Sequence, residues 1–436
     1  MKILVIGSGG REHAILRGLQ RSSSRKLELY CAPGNAGIAQ IAECTAIKAT
    51  DVLGLAGFAE EHNIGLTIVG SEVPLAAGIC DEFERRGFAI AGASRTAARL
   101  ESSKAFAKEF MAHHGIPTAR FKIANSMSEA HGILQSGEFG DEDASVVIKA
   151  DGLAAGKGVI VARSRPEAAS AINVLMEGGL VAAESSKRIV IEETLEGPEA
   201  SLLLFSDGVD YAFMPAARDH KRVGENDTGP NTGGMGAITS PSLLDENTLR
   251  RVIQEVVEPT LEGARAQGFP FRGVLFLGLM LTSAGPRVLE YNVRFGDPEA
   301  QAILARFEGD LSQVFEAVAR GGLGKVPISW SNESSACVVL ASRGYPARVE
   351  TGRPITGLEL AAQHEGVQIF HAGTLRSESG EWLTAGGRVL GVTSTAPTLE
   401  RALARCYAAV ADIHWDGMHY RSDIGRFSER SERAEG

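Results

Sequence analysis

Residues 288–299 bring together side chains that could bind a metal ion and phosphate groups. If this segment is a strand, Glu290 and Asn292 share one face. Leu289 and Tyr291 then pack on the other face, because side chains alternate along a strand. A carboxylate and an amide oxygen suit Mg²⁺, which prefers oxygen ligands and keeps substrate phosphates in its shell. The alternative is an edge strand with a solvated polar face.

The residues after this pair favour the metal interpretation. Arg294 carries a planar guanidinium that can hold a phosphate through two hydrogen bonds. Asp297 and Glu299 add two carboxylates to the same short stretch. We therefore predict a site for a divalent metal and phosphate groups.

A second segment, residues 149–158, has the composition of a loop that closes over phosphates, since six of its ten residues are Gly or Ala. It is not a Walker A loop, because only three residues separate Gly152 from Gly156 and Gly158 follows Lys157. Strand-like runs on both sides predict a hairpin instead. Its N–H groups and lysine could neutralise an anion. A solvated turn with a surface lysine is the alternative, and we favour the functional interpretation.

Two further polar segments have less specific patterns. The turn at residues 7–11 could bind an anion or be a structural tight turn. It does not match a dinucleotide fingerprint, because Glu12 stands where the third glycine is needed. Residues 219–222 are charged, and the glycine-rich residues 227–236 show no helix or strand pattern. Long irregular loops are often functional, so we expect this one to wrap a small substrate.

The elements that must position these residues begin with an alternation of strands and helices, which predicts a parallel sheet covered by helices. We predict strands at residues 2–6, 27–31, 66–69 and 88–91, and helices at 11–21, 51–62 and 74–86.

The rest of the chain predicts a small α+β unit inserted in a larger domain, followed by a further strand-rich region. We predict helices at residues 103–113, 129–134, 166–176, 245–266 and 399–413. We predict strands at 120–123, 146–149, 158–162, 189–193, 201–205, 274–281, 287–292, 336–341, 368–370 and 389–393.

Composition limits the class of protein. The 436 residues predict two to four domains. A net charge of −10 without a basic block argues against nucleic acid as a partner. The five scattered cysteines contain no Cys-x-x-Cys pair, which argues against a zinc site or disulfide framework. No apolar run is long enough for a membrane span, so we expect a cytoplasmic protein.

Taken together, these motifs resemble the ATP-grasp superfamily, and closely its glycinamide ribonucleotide synthetase family. The block from Arg294 to Gln301 matches that family's pattern at every defined position. The other matching segments are residues 9–13, 33–37, 149–158, 219–222, 228–236, 371–374, 386–389 and 412–415. The resemblance covers almost the whole chain.

The resemblance implies a multidomain α/β and α+β fold. A pre-ATP-grasp domain with a parallel sheet would span residues 1–102. An ATP-grasp domain would span 103–325, with a small lid at about 118–190. A small α/β C-terminal domain would span 326–436.

The resemblance also implies a reaction in which ATP drives the ligation of glycine to 5-phosphoribosylamine. The products would be glycinamide ribonucleotide, ADP and phosphate, with a glycyl phosphate intermediate. Mg²⁺ or Mn²⁺ would bind Glu290 and Asn292, and the catalytic residues would be Arg294, Lys157 and Asp297. ATP would contact Lys104, Lys149, Gly156, Lys157, Glu192, Glu193, Leu195 and Glu199. The substrates would contact Gly10, Arg11, Glu72, Asp219, Lys221, Asn231, Thr232, Gly233, Gly234, Met235 and Arg294.

Some residues depart from the family pattern. Ser71 and Val73 alter the loop that is expected to line the amine pocket, and Tyr291 replaces a phenylalanine in the metal strand. The alternatives are another ATP-grasp carboxylate–amine ligase, a nicotinamide-dependent dehydrogenase and a non-catalytic nucleotide-binding protein. The missing third glycine disfavours the dehydrogenase. We expect a monomer or weak homodimer, and histidines 13, 220 and 371 to orient substrate or support structure rather than act as bases.

Overall fold

The apolar residues 3–6 form the centre of a parallel sheet in the computed structural model, which describes residues 1–154, 158–177 and 187–426. Leu4 and Ile6 face one hydrophobic cluster, whereas Ile3 and Val5 face another. Both faces of the strand are therefore covered, which explains its continuous apolar sequence. The strands are β1 (Lys2–Gly7), β2 (Glu28–Pro33), β3 (Glu43–Cys44), β4 (Leu66–Val69) and β5 (Ile90–Ala91). Their order is β3-β2-β1-β4-β5, which confirms the predicted parallel sheet.

Helices cover this sheet as predicted, with one difference. They are α1 (Gly10–Ser22), α2 (Val52–Glu61), α3 (Glu72–Ala76) and α4 (Ile79–Arg85). The prediction of one helix over residues 74–86 was wrong, because the chain breaks into α3 and α4 at Gly78. That glycine has φ +86°, a left-handed conformation that interrupts a helix and favours glycine.

The small α+β unit predicted from the sequence is present as an antiparallel sheet with its own core. Helices α5 (Arg99–Ser102) and α6 (Lys104–His113) precede it. The unit consists of β6 (Phe121–Ala124), α7 (Met127–Gln135), β7 (Val146–Ala150), β8 (Val159–Ala162), α8 (Arg165–Met176) and β9 (Ile189–Glu193). The strand order is β6-β9-β7-β8, and the two helices pack on the sheet around Ile148, Ile172 and Ile191.

Most of the remaining strands build one large antiparallel sheet that runs through the central and C-terminal domains, and four of them form two separate two-stranded sheets. The central strands are β10 (Glu199–Asp207), β11 (Tyr211–Phe213), β12 (Ala217–Asp219), β13 (Arg222–Gly224), β14 (Thr228–Asn231), β15 (Gly236–Thr239), β16 (Arg272–Thr282) and β17 (Gly285–Asn292). The later strands are β18 (Ser334–Ala341), β19 (Val367–His371), β20 (Thr374–Arg376), β21 (Trp382–Thr384) and β22 (Arg388–Ala396). The sheet order is β17-β16-β10-β12-β15-β18-β22-β19, with β11 beside β10. The pairing of β15 with β18 therefore joins the two domains through backbone hydrogen bonds.

Helices pack on this sheet, and one of them differs from the prediction. They are α9 (Glu246–Val252), α10 (Glu258–Ala266), α11 (Glu299–Ala305), α12 (Leu311–Arg320), α13 (Leu358–Ala361) and α14 (Leu399–Asp412). The long helix predicted over residues 245–266 is present, but a π-helical turn, Ile253–Val257, lies within it between α9 and α10. Pro259 accounts for this wider turn, since it has no N–H to donate to the carbonyl of Glu255.

None of the helices in the described ranges is both long and apolar enough to cross a membrane. The five cysteine thiols are free in the structure.

Candidate active site

A cleft of about 460 Å³ lies where the three domains meet, between the small antiparallel sheet and strands β16 and β17. Most of the residues predicted to form a site line this cleft. They are Arg11, Glu72, Lys104, Lys149, Glu192, Glu193, Leu195, Glu199, Asp219, Lys221, Asn231, Thr232, Gly233, Glu290, Asn292, Arg294 and Asp297. Gly156 and Lys157 lie outside the described residues.

The predicted metal pair lies on the cleft side of β17, where a bulge changes the alternation of side chains. Glu290 pairs with Gly278 of β16, but the next position of β16 pairs with Val288, so Leu289 is an extra residue. Val288 therefore shares the buried core with Tyr291. The prediction that Leu289 packs on that face was wrong, because the bulge leaves it half-buried at the cleft.

Tyr291 departs from the family pattern, and its hydroxyl has a hydrogen-bonding partner in the structure. Its side chain is buried and its hydroxyl lies 2.7 Å from Oγ1 of Thr260, which is in α10. Burial raises the pKa of Tyr291, so the phenol stays neutral. The hydroxyl that distinguishes this chain from the family pattern thus lies in the packing behind β17 and does not face the cleft.

Positive charge surrounds Glu290. Burial by itself raises the pKa of this carboxyl, but the charges of Lys221, Lys149 and Lys104 outweigh it and hold the pKa below its usual value. Lys104 donates to the carbonyl of Gly152 at 2.8 Å, which ties α6 to the start of the glycine-rich hairpin. The cleft therefore combines an ionised oxygen ligand with cations that can neutralise phosphate groups.

Glu192 is buried beneath the cleft between two lysines. Its carboxylate oxygens each lie 2.9 Å from a lysine Nζ, one from Lys149 and the other from Lys108. Burial lowers the pKa of Lys108 to about 8, although the charge of Glu192 opposes this effect. Glu193, the next residue, points elsewhere and pairs with Arg120 at 2.6 Å.

Lys108 was missed in the sequence analysis. Lys104 and Lys108 are four residues apart in α6, so they share one helix face, and that spacing was a usable signal.

Arg294 sits between two acidic side chains at the end of β17. Its guanidinium lies 2.7 Å from Glu101 and 3.3 Å from Glu72, and it donates to Oδ1 of Asn292 at 3.0 Å. Glu101 also accepts the N–H of Val293 at 2.8 Å. Glu101 was missed in the sequence analysis, because it lies about 190 residues from Arg294 in a segment without a motif.

Asp297 connects the central domain with the C-terminal domain. One carboxylate oxygen accepts from Nε2 of Gln301 at 2.8 Å, and the other lies 3.4 Å from the guanidinium of Arg388. Burial by itself raises the pKa of Asp297, but the charges of Arg388 and Arg11 outweigh it, so the pKa lies below its usual value. Arg388 was also missed as a site residue. It matches the family pattern, but only the fold shows that the C-terminal domain brings it to the cleft.

The glycine-rich segment predicted to be irregular contains regular structure. Strands β13 and β14 form a two-stranded hairpin there, and β15 begins at Gly236. The prediction of a loop without strands was wrong, since Asn226 and Asp227, each with φ +53°, turn the chain tightly between β13 and β14 in a sequence that lacks apolar alternation.

The polar side chains of this region still face the cleft. Lys221 lies 2.8 Å from Glu199, and Asn231, Thr232 and Gly233 line the wall. Burial and the neighbouring Asp219 raise the pKa of Glu299 to about 8.

Three predicted substrate residues do not line the cleft. Met235 is fully buried, and its N–H bonds to the carbonyl of His220. Gly234 has φ +110°, and a Cβ there would lie 2.5 Å from Cδ of Pro298. A Cβ at Gly10 would likewise come too close to the side chain of Gln301. These residues let the backbone pass closely behind the site.

The histidines in the family motifs lie away from the cleft, as expected of structural residues. His13 and His371 lie side by side between α1 and the C-terminal domain, where Nδ1 of His13 accepts the N–H of His371 at 2.9 Å. Burial, together with the charges of His371 and Arg17, lowers the pKa of His13 to about 3. Burial and the charge of Arg17 lower the pKa of His371 to about 4.

Replacing His13 by glutamine is expected to flatten the acid side of the stability profile. Because the folded-state pKa is below the unfolded value, the unfolded chain binds the proton first as the pH falls below about 6.5. As the pH falls from about 6 to 4, the imidazole thus lowers the free energy of unfolding by roughly 1.4 kcal/mol for each pH unit. Urea unfolding of wild type and His13→Gln across this range measures the difference. Parallel profiles would show that His13 does not titrate in this way.

Comparison with known proteins gives the family of the chain. Residues 1–101 match the family model for the phosphoribosylglycinamide synthetase N domain, 102–300 its ATP-grasp (A) domain and 335–427 its C domain. The phosphoribosylamine–glycine ligase of Brucella melitensis is 44% identical over the whole of both chains. That of Xylella fastidiosa is 46% identical over 98% of this chain and 96% of its own. The crystal structure of the Thermotoga maritima ligase superposes with a TM-score of 0.82 at 34% identity, covering 97% of this chain and all of that one. The chain therefore belongs to the phosphoribosylglycinamide synthetase family.

Proposed function

We propose that the protein uses ATP to join glycine to 5-phosphoribosylamine, giving glycinamide ribonucleotide, ADP and phosphate. The observation that carries this proposal is the cleft at the junction of the three family domains. There an acid–amide pair lies among three lysines, and the neighbouring wall carries acidic, amide and arginine side chains for two small polar substrates. The likeness of the whole chain to ligases of this name supports the choice of substrates.

We assign the nucleotide to the side of the cleft formed by α6 and the small antiparallel sheet. Lys104 and Lys149 would neutralise phosphate groups. Leu195 and the chain at Glu192 and Glu193 would contact the base, and Glu199 would bind the ribose. The buried ion pairs of Glu192 support this assignment, because they fix Lys149 in the cleft and leave little freedom to lose when the nucleotide binds. Gly156 and Lys157 keep their predicted role of covering the phosphates.

A divalent metal, Mg²⁺ or Mn²⁺, fits the donors at Glu290 and Asn292. The carboxylate is held ionised and the amide oxygen lies on the same strand. Among the described residues no group of three or more His, Cys, Asp or Glu side chains could hold a metal by itself. This pair thus suits an ion that completes its shell with phosphate oxygens. When bound, the ion would neutralise charge on the transferred phosphoryl group and align it.

The remaining polar residues are assigned to glycine and the amine. Arg11, Glu72 and the wall at residues 231–233 would hold the substrates, and Asp219 and Lys221 would lie beside them. Gly10, Gly234 and Met235 would act only by placing the backbone. Arg294 would stabilise the transferred phosphate, and Asp297 would orient the reacting groups with Arg388.

The chemistry follows from the weakness of a carboxylate as an electrophile. A carboxylate oxygen of glycine attacks the γ-phosphorus of ATP, which forms glycyl phosphate and releases ADP. The sugar amine then attacks the acyl carbon and phosphate leaves, with loss of a proton from the amine. Both steps need alignment and charge neutralisation more than a protein nucleophile. Exclusion of water protects the acyl phosphate, and we propose that residues 118–190 form the lid of an ATP-grasp domain spanning 103–325.

The function is tested by phosphate release from ATP and Mg²⁺ with glycine, with and without freshly generated phosphoribosylamine. We expect release only when both substrates are present, and glycinamide ribonucleotide as the product. Release with a different acid or amine would keep an ATP-dependent ligase but overturn these substrates. ATP binding without any release would favour a nucleotide-binding protein. The cytoplasmic location and the monomeric or weakly dimeric state stay predictions.

A further inference from the structure

A second groove, of about 480 Å³, lies between α1 and the C-terminal domain. His13 and Arg17 of α1 line one side, and His371, Arg376 and Trp382 line the other. It has no described lining residue in common with the cleft. It is therefore a separate cavity, with a volume in the range typical of small-molecule sites.

Three arginines line the groove. Arg21 donates to backbone carbonyls at residues 304, 305 and 307, whereas Arg17 and Arg376 are exposed and carry charges that no acid in the described ranges neutralises. Among the described residues, neither Arg17 nor Arg376 forms an ion pair within 4 Å, although Glu359 also lines the groove. The guanidinium of Arg376 lies over the ring of Trp382, 4.6 Å from its centre. Besides burial, the charges of Arg17 and Arg376 lower the pKa of His371, which lines the same groove.

His13 adds a buried donor on the same wall. Its Nδ1 accepts the N–H of His371, so the neutral ring must carry its proton on Nε2. This Nε2 is buried and has no hydrogen-bond partner among the described residues. Buried donors normally have a hydrogen-bond acceptor, and the described residues of the groove wall supply none for this N–H group. An anion between the arginines would bring negative charge to this donor.

The other part of the groove is apolar. Leu358 of α13 and Val367 and Ile369 of β19 line it. A ligand that matches both parts has an anionic end and an uncharged body of moderate size. Guanidinium groups match phosphate in shape and charge, and a dianion is attracted by both arginines at once.

We propose that this groove binds a phosphomonoester of nucleotide size, with its phosphate between Arg17 and Arg376 and its uncharged body along Leu358 and Ile369. The ligand would bridge α1 and the C-terminal domain. The site lies behind the first glycine loop, because Asn35 donates to the carbonyls of both Ser8 and His371. The proposal does not depend on the reaction in the cleft.

Adenosine 5′-monophosphate is a suitable probe, provided that the cleft is blocked. The protein is saturated with β,γ-methylene-ATP and Mg²⁺, and AMP is then titrated by calorimetry. We expect AMP to bind wild type, and the double variant Arg17→Ala/Arg376→Ala to raise its Kd at least tenfold. Two charged hydrogen-bonding groups are lost in that variant. Arg401→Ala, which removes an exposed arginine of α14, is the matched control and should keep the wild-type Kd.

Several outcomes would overturn the proposal. These are no binding of AMP to the blocked protein, an unchanged Kd in the double variant, or adenosine binding as tightly as AMP. Inorganic phosphate binding as tightly as AMP would overturn the assignment of an ester with an uncharged body. Phosphate release by the double variant with both substrates should match wild type. Loss of that release along with binding would indicate misfolding, which circular dichroism and thermal unfolding check, and Arg17→Gln/Arg376→Gln then serves as the second variant.

Discussion

Replacing Glu290 by alanine is expected to reduce turnover by roughly a thousandfold or more while the protein stays folded. The variant removes the carboxylate that we propose as a metal ligand and leaves Lys104, Lys149 and Lys221 without the carboxylate among them. Loss of the several kcal/mol that a metal supplies to phosphoryl transfer corresponds to such a factor. The measurement is phosphate release at saturating substrates, together with the Mg²⁺ concentration needed for half-maximal rate. Glu290→Gln should retain the shape of the side chain. It should still lower the rate and raise the Mg²⁺ concentration needed for half-maximal rate.

The matched control for this experiment is Glu262→Ala, which removes an exposed carboxylate from α10. It should leave both the rate and the Mg²⁺ requirement at wild-type values. Wild-type rates in Glu290→Ala at ordinary Mg²⁺ would refute the metal assignment. A thermal unfolding curve for each variant separates loss of chemistry from loss of fold.

Arg294→Ala is expected to affect both stability and activity. The guanidinium is mostly buried between Glu72 and Glu101, so its removal leaves Glu101 without its ion-pair partner and Glu72 with only Arg11, at 4.0 Å. Breaking a buried ion pair typically costs about 3–5 kcal/mol of unfolding free energy. We also expect turnover to fall at least about a hundredfold, since the loss frees Asn292 and removes positive charge from the cleft.

Urea unfolding and phosphate release measure the two effects separately. Arg294→Lys should recover part of the stability through its charge, but little of the activity, because an ammonium cannot contact both acids and the amide oxygen at once. Arg272→Ala, at the exposed start of β16, is the control and should change unfolding by less than about 0.5 kcal/mol. An Arg294→Ala protein as stable as wild type would show that the two acids find other partners or become protonated.

Local sequence was sufficient for most of the elements and for most of the residues that line the cleft. The continuous apolar run at residues 3–6 indicated a strand covered on both faces, and the small α+β unit followed from its own periodicity. The spacing of Glu290 and Asn292 placed them on one face of a strand, as the structure has them at the cleft. These features depend on interactions between near neighbours, which sequence patterns report directly.

The errors arose where a single backbone position overrides the pattern. Gly78 breaks a helix that looked continuous. Because of a bulge in β17, Val288 rather than Leu289 packs in the core. A bulge depends on the pairing of two strands, so one strand's alternation cannot reveal it.

The sequence by itself determined the family, the α/β architecture and the set of charged residues available to the cleft. Only the tertiary structure decided which charges meet. It places Glu101 against Arg294, Lys108 against Glu192 and Arg388 against Asp297, and each of these missed partners lies far along the chain from its mate. The physical reason is that ion pairing depends on distance in space and on burial, and the packing of three domains sets both. The same packing creates the groove beside α1, which no local motif describes.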